Sequence, residues 1–91
     1  MKFDKRTCIE VTKGTHEKMT HHYYQGMLHR TDGPAVIFEN LKTKKSTYQY
    51  FLFDGPYREF HQWIDDLIYW KLKTKQEALM IYLKWANHNN Q

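Results

Sequence analysis

Thr47-Tyr48-Gln49-Tyr50-Phe51-Leu52-Phe53, then Asp54-Gly55-Pro56, then Tyr57-Arg58-Glu59-Phe60-His61-Gln62-Trp63-Ile64-Asp65-Asp66-Leu67-Ile68 is the junction that decides the fold. Before it the side chains alternate: Tyr48, Tyr50 and Leu52 on one face, Gln49, Phe51 and Phe53 on the other. That is a strand, and aromatic residues on both faces make it central or helix-covered. Asp54-Gly55-Pro56 reads as a turn. After it Tyr57, Phe60, Trp63, Ile64, Leu67 and Ile68 recur every three or four residues, as on the apolar face of a helix. Lys71 and Lys73 follow near its C-terminal end, where cations suit the helix dipole.

Upstream of this junction the chain reads as strands and turns. Thr7 to Val11 is a strand, Lys13-Gly14-Thr15 a turn, and Lys18 to Tyr24 a second strand. Gln25-Gly26 is a tight turn, the Gly supplying positive φ. Leu28 to Arg30 is a short extended piece, broken by Asp32-Gly33-Pro34. There the Asp accepts from nearby backbone N–H groups, the Gly permits a left-handed conformation and the Pro fixes φ. Ala35 to Glu39 is the next strand, and Asn40 to Lys45 a polar loop. Downstream, Thr74-Lys75-Gln76-Glu77 matches a capping box, followed by a stripe of Ala78, Leu79, Tyr82, Leu83 and Ala86. The expectation is one α+β domain spanning 1–91. An antiparallel β-meander of four to five strands (1–55) precedes a C-terminal helical hairpin (56–88) packed on one face, with a frayed tail at 89–91.

Composition bounds the class. In 91 residues, 41% are hydrophobic and 26% charged, which excludes a membrane-spanning, collagen-like or disordered chain. Aromatic residues make up 16%, and eleven of the fifteen fall between Tyr48 and Trp85. The core is therefore expected to be built from rings, between helices and sheet. The single cysteine, Cys8, cannot form an internal disulfide and fits a small strand residue in a reducing compartment. Without a signal-like N-terminus the expected location is cytoplasmic. The net charge of +4 comes wholly from residues 1–45, with nine Lys/Arg against five Asp/Glu; residues 46–91 hold five of each. Such asymmetry permits contact with nucleic acid or an acidic protein.

Two segments echo each other: Tyr23-Tyr24-Gln25-Gly26 and Leu52-Phe53-Asp54-Gly55, with glycines 29 residues apart. Gly26-Met27-Leu28-His29-Arg30-Thr31-Asp32-Gly33-Pro34-Ala35-Val36-Ile37 resembles a repeat of strand, Asn-Gly-Lys, then Leu-His-Arg-x-Asp-Gly-Pro-Ala. That MORN-like repeat is found in small uncharacterised proteins of tailed bacteriophages and some giant viruses. The match is specific over 22–38, weaker over 50–63 and absent from the first strand. Gln25 stands for the usual Asn, Met27 for the usual Lys, and Phe60 where an acid is common. The resemblance implies a phage origin and transfers no catalytic residue.

Candidate sites are few. The six histidines lack the paired spacing of a zinc site, since His21 and His22 point to opposite faces of a strand, so no metal and no cofactor are expected. His29 and Asp32 invite an acid–base or metal-dependent nuclease reading, but the plainer one is structural: Arg30 and Asp32 tie the turn that Gly33 and Pro34 shape. Lys42, Lys44 and Lys45, beside Tyr48, offer charge and a ring for single-stranded nucleic acid. Trp63 falls on the core stripe. Tyr23, Tyr24, Trp70 and Trp85 are the rings left for a protein interface, where Trp and Tyr dominate binding energy.

The leading expectation is a non-enzymatic bacteriophage accessory protein that binds and modulates a host or phage protein, for example as an inhibitor of a host defence system. The alternative is a nucleic-acid-binding protein using the basic N-terminal half. A homo-oligomer is permitted, and no membrane partner is expected.

Overall fold

The computed structural model describes residues 7–86. The expected tail at 89–91, His88 and the basic residues Lys2, Lys5 and Arg6 lie outside the described residues. Within them the order is β1 (Thr7–Lys13), β2 (Glu17–Tyr24), β3 (Met27–Leu28), β4 (Val36–Asn40), β5 (Lys45–Leu52), β6 (Gly55–Tyr57), α1 (Phe60–Tyr69) and α2 (Lys75–Trp85). All strand pairs are antiparallel, in the order β1-β2-β4-β5-β6, with β3 also on β2. This is the α+β meander with two C-terminal helices that the pattern predicts.

β3 and β4 share one edge of β2. Leu28 faces Tyr23, yet Val36, not Arg30, faces His21. Six residues are thus looped out of an otherwise continuous strand, and they carry the Asp32-Gly33-Pro34 segment. Both hairpins on either side turn on two positive-φ residues: Gln25 (51°) and Gly26 (80°) in the first, Phe53 (49°) and Asp54 (67°) in the second. The turns therefore correspond as Gly26 to Asp54, 28 residues apart, and not Gly26 to Gly55. Gly55-Pro56-Tyr57 is not a turn running into helix but strand β6, paired with Tyr50, Phe51 and Leu52. The sheet thus extends to residue 57, and α1 begins only at Phe60.

Register places Val11, Thr20, Ile37 and Tyr48 in one row on one face. The helices cover only the β5–β6 end of that face. Tyr50 and Leu52 from β5, Trp63, Ile64 and Leu67 from α1, and Ala78 and Ile81 from α2 form the core. Trp63 and Leu67 are fully buried, and burial of side chains this large contributes about 1.5–3 kcal/mol each. Tyr50 packs on Phe60 and Trp63 at centroid distances of 5.1 and 4.6 Å. Tyr57 donates to Asp66 across β6 and α1, and burial together with that carboxylate pushes its phenol up to about 12.

The helix ends differ in quality. Thr74 and Glu77 form a complete capping box on α2. Glu59 caps α1 with its backbone alone. At the other end of α1, Leu72 N donates to Leu67 O and Lys71 N to Ile68 O, with Lys71 at φ 58°. That is a Schellman closure made on a lysine. The expected stripe on α2 is corrected: Ala78, Ile81, Tyr82 and Trp85 turn inward, while Leu79 and Leu83 are exposed with Met80. Five consecutive apolar residues, Leu79 to Leu83, cannot all share one face of a helix.

Candidate functional site

The looped-out segment gathers the chain's most polar constellation. Arg30, with a side chain 19% exposed, donates through Nε to Asp32 Oδ1 at 2.8 Å and through Nη1 to Pro34 O at 3.1 Å. Nη1 also lies 3.2 Å from His22 Nε2. The indole of Trp85, from the far end of α2, donates to Asp32 O at 3.0 Å, and the Arg30 guanidinium sits over its ring at 5.7 Å. Gly33 is buried among these groups. A Cβ there would lie 2.8 Å from Arg30 Cζ and 3.0 Å from Trp85 Cζ2. Its φ is not positive, so the expected left-handed role gives way to a steric one: only a hydrogen leaves room for the guanidinium and the indole. The Asp32 carboxylate, expected to accept from backbone N–H groups ahead of it, turns back to Arg30 and meets its own backbone N–H instead.

His29 serves the other turn. Its Nδ1 accepts from Phe53 N at 3.0 Å, and its ring packs on Phe53 at 4.2 Å. Asp54 joins the same junction, accepting from Leu28 N through Oδ1 at 2.7 Å and donating N–H to Leu28 O at 2.8 Å. The two hairpin turns are thereby locked together. His29 and Asp32, the pair an acid–base reading would need, are directed to different partners.

An open recess of about 350 Å³ lies beside this cluster, lined by Cys8, His22, Tyr24, His29, Arg30 and Asp32 among others. Burial lowers the affinity of His22 for a proton, and the Arg30 charge lowers it further against the opposing Asp32. Burial alone lowers that of His29. For Asp32, burial opposes ionisation, but the Arg30 hydrogen bond and charge, a backbone hydrogen bond and Lys73 outweigh it and hold the carboxyl below its usual value. Both shifts favour the neutral imidazole, the form that can accept a hydrogen bond. The recess is lined by groups already bonded to one another, and Cys8 on its wall is an exposed free thiol. No cluster of three or more His, Cys, Asp or Glu side chains suited to a metal exists among the described residues.

The four rings reserved for a partner separate. Tyr23 stacks on His21 at 6.0 Å, and Tyr24 packs on His29 and Phe53, so both are half-buried in the sheet. Trp85 is half-buried as the lock on the Asp32 segment, and it also meets Tyr48 edge-on at 5.8 Å. Trp70 alone stands out, 61% exposed at the end of α1, with Tyr69 beside it at 5.1 Å and 73% exposed. Lys42 and Lys44 are exposed in the β4–β5 turn, where Asn40 Oδ1 accepts from Lys42 N and Thr43 N, and Lys45 opens β5. Tyr48, expected as a free ring beside them, packs against Trp85 on the helix-covered face instead.

Beyond Trp70, the exposed large apolar residues are Leu79, Met80 and Leu83 on α2, Tyr69 on α1, Ile9 and Val11 on β1, and Leu41 and Phe53 in turns. The unbroken apolar run of α2 is the signal that marks the first group. No helix among the described residues is long and apolar enough to cross a membrane. No family model, curated protein or solved structure matches this chain.

Proposed function

We propose that the chain is a small non-enzymatic accessory protein, of phage origin by its resemblance, that binds and modulates a host or phage protein. An inhibitor of a host defence system, acting in the host cytoplasm, is the form of this reading that we favour. The observation that carries it is the exposed apolar surface of the helical hairpin: Tyr69 and Trp70 at the end of α1, and Leu79, Met80 and Leu83 on the side of α2 away from Ala78 and Ile81. Large exposed apolar residues on neighbouring elements are the usual substance of a protein interface. The polar groups that catalysis would need are held instead in the turn network around Arg30. A basic, not acidic, net charge argues against inhibition by mimicry of DNA.

The test separates protein from nucleic-acid partners. Tagged protein is passed over single- and double-stranded oligonucleotides at about 50 mM salt, where contacts to several phosphates are still strong. Lack of retention, together with recovery of a specific protein from nuclease-treated lysate, supports the proposal. Retention that is lost when Lys42, Lys44 and Lys45 are changed to Glu would replace it with the nucleic-acid reading.

A further inference from the structure

β1 ends the sheet, and its outer edge has no strand partner among the described residues. Hydrogen bonding fixes which of its backbone groups face outward. Gly14 N donates to Glu17 O at 2.7 Å, so that pair is bonded. Alternation along an antiparallel ladder then makes Thr12–Met19, Glu10–His21 and Cys8–Tyr23 the other bonded pairs. The opposite edge of β2 agrees, since His22 donates to Ala35 O and accepts from His29 N. The N–H and C=O groups of Thr7, Ile9, Val11 and Lys13 therefore point away from β2. Ile9 and Val11 add side chains 63% and 55% exposed. Natural sheets guard such edges with proline, a bulge or charged side chains, lysine above all. β1 has no proline and no bulge: it pairs residue for residue over seven positions, with its one lysine at the end and Glu10 its one central charge.

We infer that this edge is the contact for a second copy of the chain, paired antiparallel about a twofold axis at Val11. Charge and the placement of Lys13 select the register. Centred on Glu10, two carboxylates would face each other in a non-bonded pair, where side chains approach most closely. Centred on Ile9, Glu10 would face Cys8, Val11 would face Thr7, and the strand's one lysine would lie beyond the paired segment with its stem unpacked. Centred on Val11, Glu10 faces the Thr12 hydroxyl, Ile9 lies along the aliphatic stem of Lys13, and Val11 meets Val11. The strand carries one acid and one base, so the joined edges are neutral although each chain is +4. The twofold also sets the Val11–Thr20–Ile37–Tyr48 rows of the two copies end to end on one face. This contact uses the opposite end of the molecule's sheet from β5–β6 and stands independently of the Trp70 surface.

Sedimentation equilibrium and cysteine cross-linking test it. The wild-type chain is expected to sediment at twice its own mass, and Val11→Lys, with unchanged circular dichroism, to dissociate at least about tenfold more readily. In a Cys8→Ser background, Val11→Cys places two thiols on Cα atoms about 5.5 Å apart, within disulfide range. Ile9→Cys in the same background leaves them four residues out of register, about 13 Å apart. Cross-linking at 11 and not at 9 is the expected result and does not depend on Val11→Lys folding. A wild-type chain that stays monomeric up to about 100 µM, a dimer indifferent to Val11→Lys, or cross-linking at 9 in place of 11 would overturn the inference.

Discussion

Gly33 is glycine because of its neighbours. With Arg30 Cζ and Trp85 Cζ2 each within 3.0 Å of where a Cβ would stand, even Gly33→Ala forces the guanidinium or the indole to move. We expect a loss of about 1–3 kcal/mol, read as a melting temperature lower by several degrees, and a larger loss for Gly33→Val. The Arg30–Asp32 tie was legible from spacing alone. The reason for Gly33 was not, because Trp85 comes from 52 residues away and no local pattern announces it. The same holds for His29, whose acceptor role depends on Phe53 N in the other turn. This makes stability depend on acid. His22 and His29 have folded pKa values below the ordinary 6.5, so below that pH the unfolded chain takes up protons first. Stability is full above about pH 6.5 and falls as the pH drops toward the folded values. Melting curves between pH 7 and 5 should show this decline. His29→Asn, which keeps an acceptor near Nδ1, should make it shallower; an unchanged slope would show that His29 plays no part.

At the scale of elements, the ends of α1 are the weak points and those of α2 are not. Glu59 gives α1 no side-chain cap, so Glu59→Ser is expected to stabilise by about 0.5–1 kcal/mol. Lys71 closes the same helix at φ 58°, a conformation natural to glycine. Lys71→Gly should add about 0.4–1 kcal/mol, whereas a β-branched residue there should subtract stability. Chemical denaturation of the single variants checks both. The capping box of α2 was readable because its two partners are three residues apart. The boundaries of α1 were not, because Gly55-Pro56-Tyr57 carries turn residues yet is held as β6 by pairing with Tyr50 and Leu52. Tertiary pairing overrode local preference. Tyr57, placed by periodicity on the helix, instead clips β6 to α1 through Asp66. Raising the pH from about 10 to 12 ionises it more readily in the unfolded chain, so stability should fall across that interval.

Among the described residues the molecule is a sheet with one face covered by the two helices at its β5–β6 end. The aromatic residues concentrated between Tyr48 and Trp85 are largely the material of that covered end, as composition suggested. What composition could not resolve is which rings remain outside. Of the four rings reserved for a partner, Tyr23, Tyr24 and Trp85 are tied into the sheet and turns, and Trp70 is the one left well exposed, with Tyr69 beside it. The exposed side of α2 carries Leu79, Met80 and Leu83 among Lys75, Gln76, Glu77 and Lys84, and a surface helix that buries one stripe has no structural need for three large apolar residues there. The proposed function thus rests on surplus apolar surface at the helical hairpin, and the inferred dimer rests on a surplus edge at β1. The two can be separated, since Trp70→Ala should leave the oligomeric state unchanged and Val11→Lys should leave the hairpin surface intact.

The most direct test of the proposed function is quantitative affinity capture with wild-type, Trp70→Ala and Val11→Lys baits from nuclease-treated host lysate. A truncated anchor at an interface centre typically costs 2 kcal/mol or more, roughly thirtyfold in affinity. The expected result is a protein retained by the wild-type bait and lost with Trp70→Ala, while the melting temperature of the variant stays close to that of the wild type. Equal recovery by the wild-type and Trp70→Ala baits would contradict it.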